Sequence, residues 1–311
     1  RHTRCLSDWS SDVCSSDLRQ AMVRQILGIM TRHIDRGSIE EVADTVAAHG
    51  LGTVQLSLES SGLEPMPPRI ESVDRRRIAM AFRRAGVSIA AVSGTFNVID
   101  PDRELLRANL LRFAVVCDAC AEIGTAVVTT CTGTRNPHSM WRAHPGNQSQ
   151  DAWAEVVDIT GEMALVAERA GVVMAFEPET ANVVDTLERA QALIEAVRSP
   201  ALGVTFDPAN FFYPADLPRM TDVIREGFSR LGRYIALAHA KDVIMPPDGG
   251  SHCRYVPAGR GLLDYNTYLT LLSESGYTNG LILHSLSEAD IDGATQMISS
   301  LDSGRSLDPT E

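Results

Sequence analysis

From residue 25 onward the chain alternates between short apolar runs and longer stretches in which apolar residues recur at three- and four-residue spacing. The runs are ILGIM (26–30), TVQLSL (53–58), VSIAAV (87–92), AVVTTC (126–131), VVMAFE (172–177), LGVTFD (202–207), YIALAH (234–239) and LILH (281–284). They are short and rich in β-branched residues, as buried strands are. The stretches between them carry helix signals. SIEEVADTVAAHG offers Ser38 as N-cap with Glu41 three residues on, and stops at Gly50. A second helix is expected to open at Asp100 as cap with Pro101 in its first turn and to end at Gly124. AWAEVVDITGEMALVAERAG ends at Gly171, and DTLERAQALIEAV begins with Asp185 and a reciprocal Glu188.

Eight strand–helix repeats over about 280 residues are the order and length of a (β/α)8 barrel. An open doubly wound sheet would carry a glycine-rich phosphate turn after its first strand, and ILGIMTRHID has none. The pattern therefore predicts an α/β protein with one domain, a TIM barrel over residues 22–300, followed by a polar tail at 301–311. Residues 1–18, RHTRCLSDWSSDVCSSDL, fit no part of this scheme and lack the zones of a signal peptide. They resemble a translated sequencing adapter, which implies that the natural amino terminus and any targeting segment with it are missing.

Composition then narrows the function. With 44% hydrophobic and 22% charged residues, the chain is ordinary globular material. No apolar run approaches the eighteen or more residues of a membrane span, so no membrane role is expected. A formal charge of −12 with scattered arginines argues against nucleic acid as a partner. Cys117 and Cys120 form a C-x-x-C, but they lie mid-helix and read as small core residues rather than a redox pair. Cys131 and Cys253 have no evident partner, which suits a reducing compartment and a cytoplasmic location.

In such a barrel the strand ends build the active site. Four consecutive strands end in an ionisable residue: Glu177, Asp207, His239 and His284. Singly, each has a plain structural explanation; Asp207, for example, precedes Pro208 and would serve as a turn cap. Together, two carboxylates and two imidazoles would desolvate and repel one another unless a cation sat between them. Oxygen and nitrogen donors without thiolate fit Mn²⁺, Zn²⁺, Co²⁺ or Fe²⁺, with Mg²⁺ less favoured and Ca²⁺ disfavoured by the histidines.

The motifs AFEPE, TFDPAN and HAKD, with GRGLLDY before the last strand, resemble those of the xylose-isomerase-like TIM-barrel superfamily, the sugar phosphate isomerases and epimerases, over roughly residues 25–300. The resemblance implies that Glu177, Asp207 and His239 are metal ligands, that Lys241 belongs to the His-x-Lys-Asp motif, and that Gly259, Arg260 and Gly261 border the substrate. Two departures stand out. Where related ketose epimerases end strand eight with a glutamate that is both ligand and second base, this chain has His284. Where many have Asp-x-x-His after strand six, it has Asp207-Pro-Ala-Asn210, which places Asn210 among the expected substrate contacts.

Moving a hydrogen next to a carbonyl requires a polarising metal and a base, for which Glu177 is the candidate. Isomerisation through a cis-enediol needs one carboxylate, whereas epimerisation needs a second group on the opposite face. His284 is the candidate there, provided it is not a ligand. A dehydratase needs instead an acid near the leaving group, for which Lys241 is available. The loop after strand four, TGTRNPHSMWRAHPGNQSQDAW, is long enough to suggest function, the alternative being a solvated loop. Arg135, and after it Arg142, are candidates for a phosphate or carboxylate, Trp141 for a sugar face, and His138 or His144 for the open side of the metal. Asn147-Gln148-Ser149 has the form of a glycosylation acceptor.

The leading expectation is a metal-dependent isomerase or epimerase of a small sugar, sugar phosphate or polyol ketone. A dehydratase of a keto-polyol such as inosose is the alternative. A phosphodiesterase like the apurinic endonucleases is opposed by the charge, and a non-catalytic sugar-binding barrel would need no metal. The expected partner is a small carbohydrate, and the outer helices leave room for a homo-oligomer.

Overall fold

Every apolar run of the sequence becomes a barrel strand. The structure, a computed structural model, describes residues 27–247 and 249–302. The adapter-like stretch and residues 303–311 lie outside the described residues. The strands are β1 (Leu27–Met30), β2 (Thr53–Leu56), β3 (Ser88–Ser93), β4 (Val127–Cys131), β5 (Val173–Glu177), β6 (Leu202–Phe206), β7 (Ile235–Ala240) and, after a small hairpin, β10 (Leu281–Leu283). They close in the order β1-β10-β7-β6-β5-β4-β3-β2, every pairing parallel. Closure satisfies both edges of every strand and leaves none open to another chain. The hairpin, β8 (Asp242–Ile244) against β9 (Arg254–Val256), is antiparallel and was not expected.

Helices α1 (Ile39–Ala48), α2 (Ser72–Ala85), α3 (Arg103–Ile123), α4 (Gln150–Ala170), α5 (Leu187–Val197), α6 (Met220–Leu231), α7 (Tyr265–Glu274) and α8 (Ile291–Asp302) follow the barrel strands around the outside. Leu301 and Asp302 thus finish a helix rather than begin the tail. On α3 the buried residues Phe113, Val116, Cys117, Cys120 and Ile123 recur at three and four spacing and face the sheet. Burying each of the larger ones contributes about 1.5–3 kcal/mol. Burial also pushes the thiols of Cys117 and Cys120 up, the latter to about 12, so the C-x-x-C is packing material as expected.

Ser38 caps α1, accepting from the Glu41 amide. Two other caps shift. Asp102, not Asp100, caps α3 by accepting from the amides of Glu104 and Leu105, while Asp100 only braces the Asp102 amide. Thr186, not Asp185, caps α5. In both cases the local choice between neighbouring oxygen-bearing side chains is settled by where the loop enters the helix, which sequence spacing leaves open.

Inside the barrel, Met30, Ala90, Ala91, Leu237 and Ile282 form a cluster separate from the main core. It underlies the open, C-terminal end of the strands, where Met30 also lines a cavity. Small residues permit the tight wall: a Cβ at Gly28 would lie 2.3 Å from the Thr53 carbonyl oxygen.

Candidate metal and substrate site

The ends of β5, β6 and β7 bring Glu177, Asp207 and His239 together, with one donor atom of each lying within 4.8 Å of the others. Asp207 and His239 are buried, at 0% and 1% exposure, and Glu177 is partly open. His239 Nδ1 stands 3.4 Å from Asp207 Oδ2 and 3.5 Å from Glu177 Oε1. Asp207 turns out to be both cap and candidate ligand. Its Oδ1 accepts from the Ala209 amide at 3.1 Å, while Oδ2 is in no hydrogen bond, is ion-paired to Lys241 Nζ at 3.1 Å, and points into the cluster.

The orientation of His239 is fixed from behind. Gln55, at the end of β2, gives its amide nitrogen to the hydroxyls of Ser93 (2.9 Å) and Thr129 (3.0 Å). Its carbonyl oxygen is left to accept from His239 Nε2 at 2.7 Å. Nδ1 is therefore the nitrogen that faces the two carboxylates, without a hydrogen-bond partner, and in the neutral ring it would offer its lone pair to an ion there. Tyr268 on α7 holds the strand itself, donating to the His239 carbonyl at 3.0 Å, and Tyr265 does the same for the Lys241 carbonyl. A buried carboxylate oxygen and a buried imidazole nitrogen, neither in a hydrogen bond, beside the second carboxylate of Glu177 and with the imidazole braced by an amide, suit a divalent ion of the borderline class.

The charges respond to this crowding. Burial alone would lower the His239 pKa, but Glu177 and Asp207 push it up to about 9. Burial alone would raise the Asp207 carboxyl, but the Lys241 ammonium, 3.1 Å from Oδ2, and His239 hold it below its ordinary range. Burial opposes the charge on Lys241, and Asp207 and Tyr255 outweigh it, so the amine stays protonated. The pocket demands positive charge, which Lys241 supplies in part. Glu179, two residues past Glu177, is pushed up to about 7 by burial.

Several expected residues take other posts. Lys241 is 3% exposed and hydrogen-bonds Asn210 Oδ1 at 2.7 Å, with its Nζ 4.0 Å from the Tyr255 ring centre. Asn210 passes the link on, donating to Glu177 Oε1 at 2.7 Å, so both ends of its amide are used and it braces the carboxylate rather than a substrate. Arg135 turns to α4 and pairs with Glu155, because a position next to a strand end does not fix the direction of a long side chain. Arg260 is exposed and pairs with Asp290 at 3.3 Å. Its flanking glycines serve Asp242, whose buried carboxylate accepts from the amides of Val243, Gly259 and Leu263; a Cβ at Gly261 would lie 2.3 Å from Asp242 Oδ1.

The β4 loop is a braced structure. Asn147 is buried, accepting from Thr134 and the Arg135 amide and donating to the Ala181 carbonyl, so it is closed to glycosylation. Asn97 and Asn182 clamp the backbone at Thr134 and Gly133. The loop delivers Trp141 to the rim of a cavity of about 200 Å³ that Glu177 and His284 also line, while His138 lines a different groove and His144 caps a short turn.

His284 stands apart from the three-residue cluster. Its ring stacks on His239, with centroids 5.1 Å apart. Arg32 Nη2 lies 3.2 Å from His284 Nε2, and Ser285 Oγ lies 2.6 Å from Nδ1. A guanidinium only donates, so Nε2 accepts and Nδ1 carries the hydrogen. Burial, then Lys241 and His239, hold this imidazole well below its ordinary pKa, in the neutral form. Sequence reasoning missed Arg32, although it follows the first strand as Glu177 and the others follow theirs. It also missed Glu59 at the cavity wall.

The family model described as xylose isomerase-like TIM barrel matches residues 43–306. No curated protein matches the chain at a significant level. Among solved structures it is similar to a xylose isomerase-like TIM barrel protein from Mycobacterium smegmatis in complex with magnesium, at 16% identity over 85% of this chain and 88% of that one, with a TM-score of 0.63. It is similar to a probable 3-DHS dehydratase from Bacillus anthracis, at 13% identity over 87% and 96%, TM-score 0.65. A 3-keto-D-glucoside 4-epimerase from E. coli aligns at 15% identity over 89% and 97%, TM-score 0.64. At these identities the likeness is one of fold.

Proposed function

Since the chain belongs to the xylose isomerase-like TIM barrel family, we propose that it is a divalent-metal-dependent isomerase or epimerase of a small sugar, sugar phosphate or polyol ketone. The observation that carries this reading is the convergence of Glu177, Asp207 and His239 with two buried donor atoms among them that take part in no hydrogen bond. These three would hold Mn²⁺, Zn²⁺, Co²⁺, Fe²⁺ or Mg²⁺. A bound ion would supply Lewis acidity toward a substrate carbonyl. Glu177 belongs to both the cluster and the cavity lining, which supports the reading that its carboxylate takes the carbon-bound proton and returns it. Asn210 holds that carboxylate from one side, and Lys241 offsets the negative charge of Asp207. Trp141 covers the cavity rim against water and offers a face to a sugar ring.

A second reading, a dehydratase acting on a keto-polyol, is favoured by one feature. An epimerase needs a second acid or base opposite Glu177, and both ring nitrogens of His284 are already engaged, by Arg32 and Ser285. Isomerisation with one base suits that arrangement better, as does water loss in which the proton taken by Glu177 is delivered to the leaving hydroxyl. The test is metal-loaded protein against a panel of ketoses, sugar phosphates and keto-polyols, with products read by mass spectrometry. An isomeric product supports the first reading and loss of one water the second. Glu177→Gln is expected to abolish turnover while leaving the fold intact, and unchanged turnover in that variant sinks both.

A further inference from the structure

Five arginines stand around the mouth or were expected there, and three are neutralised. Arg36 pairs with Glu288, Arg135 with Glu155 and Arg260 with Asp290. Arg32 has no carboxylate at ion-pair distance among the described residues, and it lines the cavity. Arg142, exposed like Arg32, does not line that cavity.

The position of Arg32 is built. Thr31, fully buried, accepts from the Ser57 amide and the Ser60 hydroxyl, both at 2.9 Å, which pins the short turn Thr31–His33 to the β2 loop. His284 then meets the guanidinium with a neutral nitrogen at 3.2 Å. That nitrogen is selected by Ser285, which sits at φ 55, a left-handed conformation that a serine adopts at a cost, and so brings its Oγ to Nδ1. A glutamate at the end of the last strand would compensate the charge of Arg32. A neutral histidine orients the guanidinium and leaves it without an ion-pair partner among the described residues, facing the same space as Glu59, Glu177 and Trp141.

We propose that Arg32, oriented by His284, recognises a carboxylate or phosphate on the substrate, so that the site selects an anionic sugar derivative over its neutral counterpart. This inference rests on the reading of the cavity as a sugar site. The planar guanidinium has donors left for such a group after meeting one imidazole.

The test is calorimetric titration of the metal-loaded full chain with galacturonate, galactose 6-phosphate and galactose. At least one anion is expected to bind about tenfold or more tightly than galactose, the margin typical of a hydrogen bond to a charged group. Which anion gains distinguishes carboxylate from phosphate. Arg32→Ala is expected to bring the ratio near one, and Arg32→Lys to keep part of it. His284→Glu is expected to erase the preference by compensating Arg32, while His284→Gln, another neutral acceptor, keeps it. If neither anion outbinds galactose, including the case in which none of the three binds, or if the preference survives Arg32→Ala, the proposal is overturned. Metal content of the same samples separates this from the proposed reaction: a chain that holds metal but ignores anions loses only the present inference, and one that prefers anions through Arg32 without holding metal loses only the metal chemistry.

Discussion

The two halves of the barrel mouth handle charge in opposite ways. On the side built by β5, β6 and β7, Glu177 and the fully buried Asp207 crowd around His239, and Lys241 stands close behind. On the side where β10 meets β1, a neutral His284 supports Arg32, which has no ion-pair partner among the described residues. The two halves touch through the stacked rings of His239 and His284, whose centroids are 5.1 Å apart. The same side-chain type takes opposite states because its neighbours differ: carboxylates push His239 up to about 9, while burial with Lys241 and other cations nearby drives His284 down. One half is arranged to receive a cation and the other to offer one.

The largest effect should come from removing the cation already present in the carboxylate half. Lys241→Met leaves Asp207 buried with its main counter-charge gone, which typically costs about 3–5 kcal/mol. Denaturant unfolding of the metal-free protein should show that loss, and added metal should restore part of it. A loss of the same size with and without metal would separate Lys241 from the metal cluster. Next in size, Asp207→Asn removes a ligand. Since changes behind the ligands already cost about 10–100-fold in metal affinity, this one should cost at least about a hundredfold. Retained metal in the Asn variant would leave Asp207 with its capping role alone. A smaller effect, roughly tenfold in affinity, is expected from Gln55→Leu, which releases His239 Nε2 without touching a ligand. Competition with a chelator resolves it, and affinity at the wild-type level would show that the imidazole needs no support from β2.

How much of this contrast is written in the sequence differs between the halves. The barrel is legible because each strand is a short apolar run and each helix has its own period and stop. The carboxylate half is legible because Glu177, Asp207 and His239 each follow such a run directly, where the backbone itself decides their direction. Arg32 obeys the same rule but sits two residues past Met30, behind the buried Thr31, and its meaning depends on His284, 252 positions away. Arg135 fails for the converse reason: it lies near a strand end, but three side-chain bonds separate its Cβ from its charge, and Glu155 captures it. The hairpin of β8 and β9 is three residues a side, too short for a period to register. Gln55 reads as one polar residue in TVQLSL, and nothing local says that its amide orients a histidine.

The smallest expected effect tests the neutral half through its stability. His33 packs edge-on against His284, ring centroids 5.6 Å apart, and its Nε2 is buried without a partner. Burial, followed by Arg32 and His239, lowers its pKa from 6.5 to about 4. Because the folded value lies below the unfolded one, the unfolded chain binds the extra proton first. Stability is therefore lost as the pH falls from about 6.5 toward 4, and the loss is complete below that window. The ring is partly solvated, so the contribution is about 1 kcal/mol, or roughly 2 °C in Tm for a domain of this size. Other groups titrate over the same range, so the informative quantity is the difference in slope between the wild type and His33→Gln, not either curve alone. A flatter curve for the variant would show that the β10–β1 side resists a second positive charge beside Arg32, the condition under which a neutral His284 can go on orienting the guanidinium for a ligand. Parallel curves would mean that water reaches His33 freely, and the contrast between the two halves would then rest on Arg32 and His284 alone.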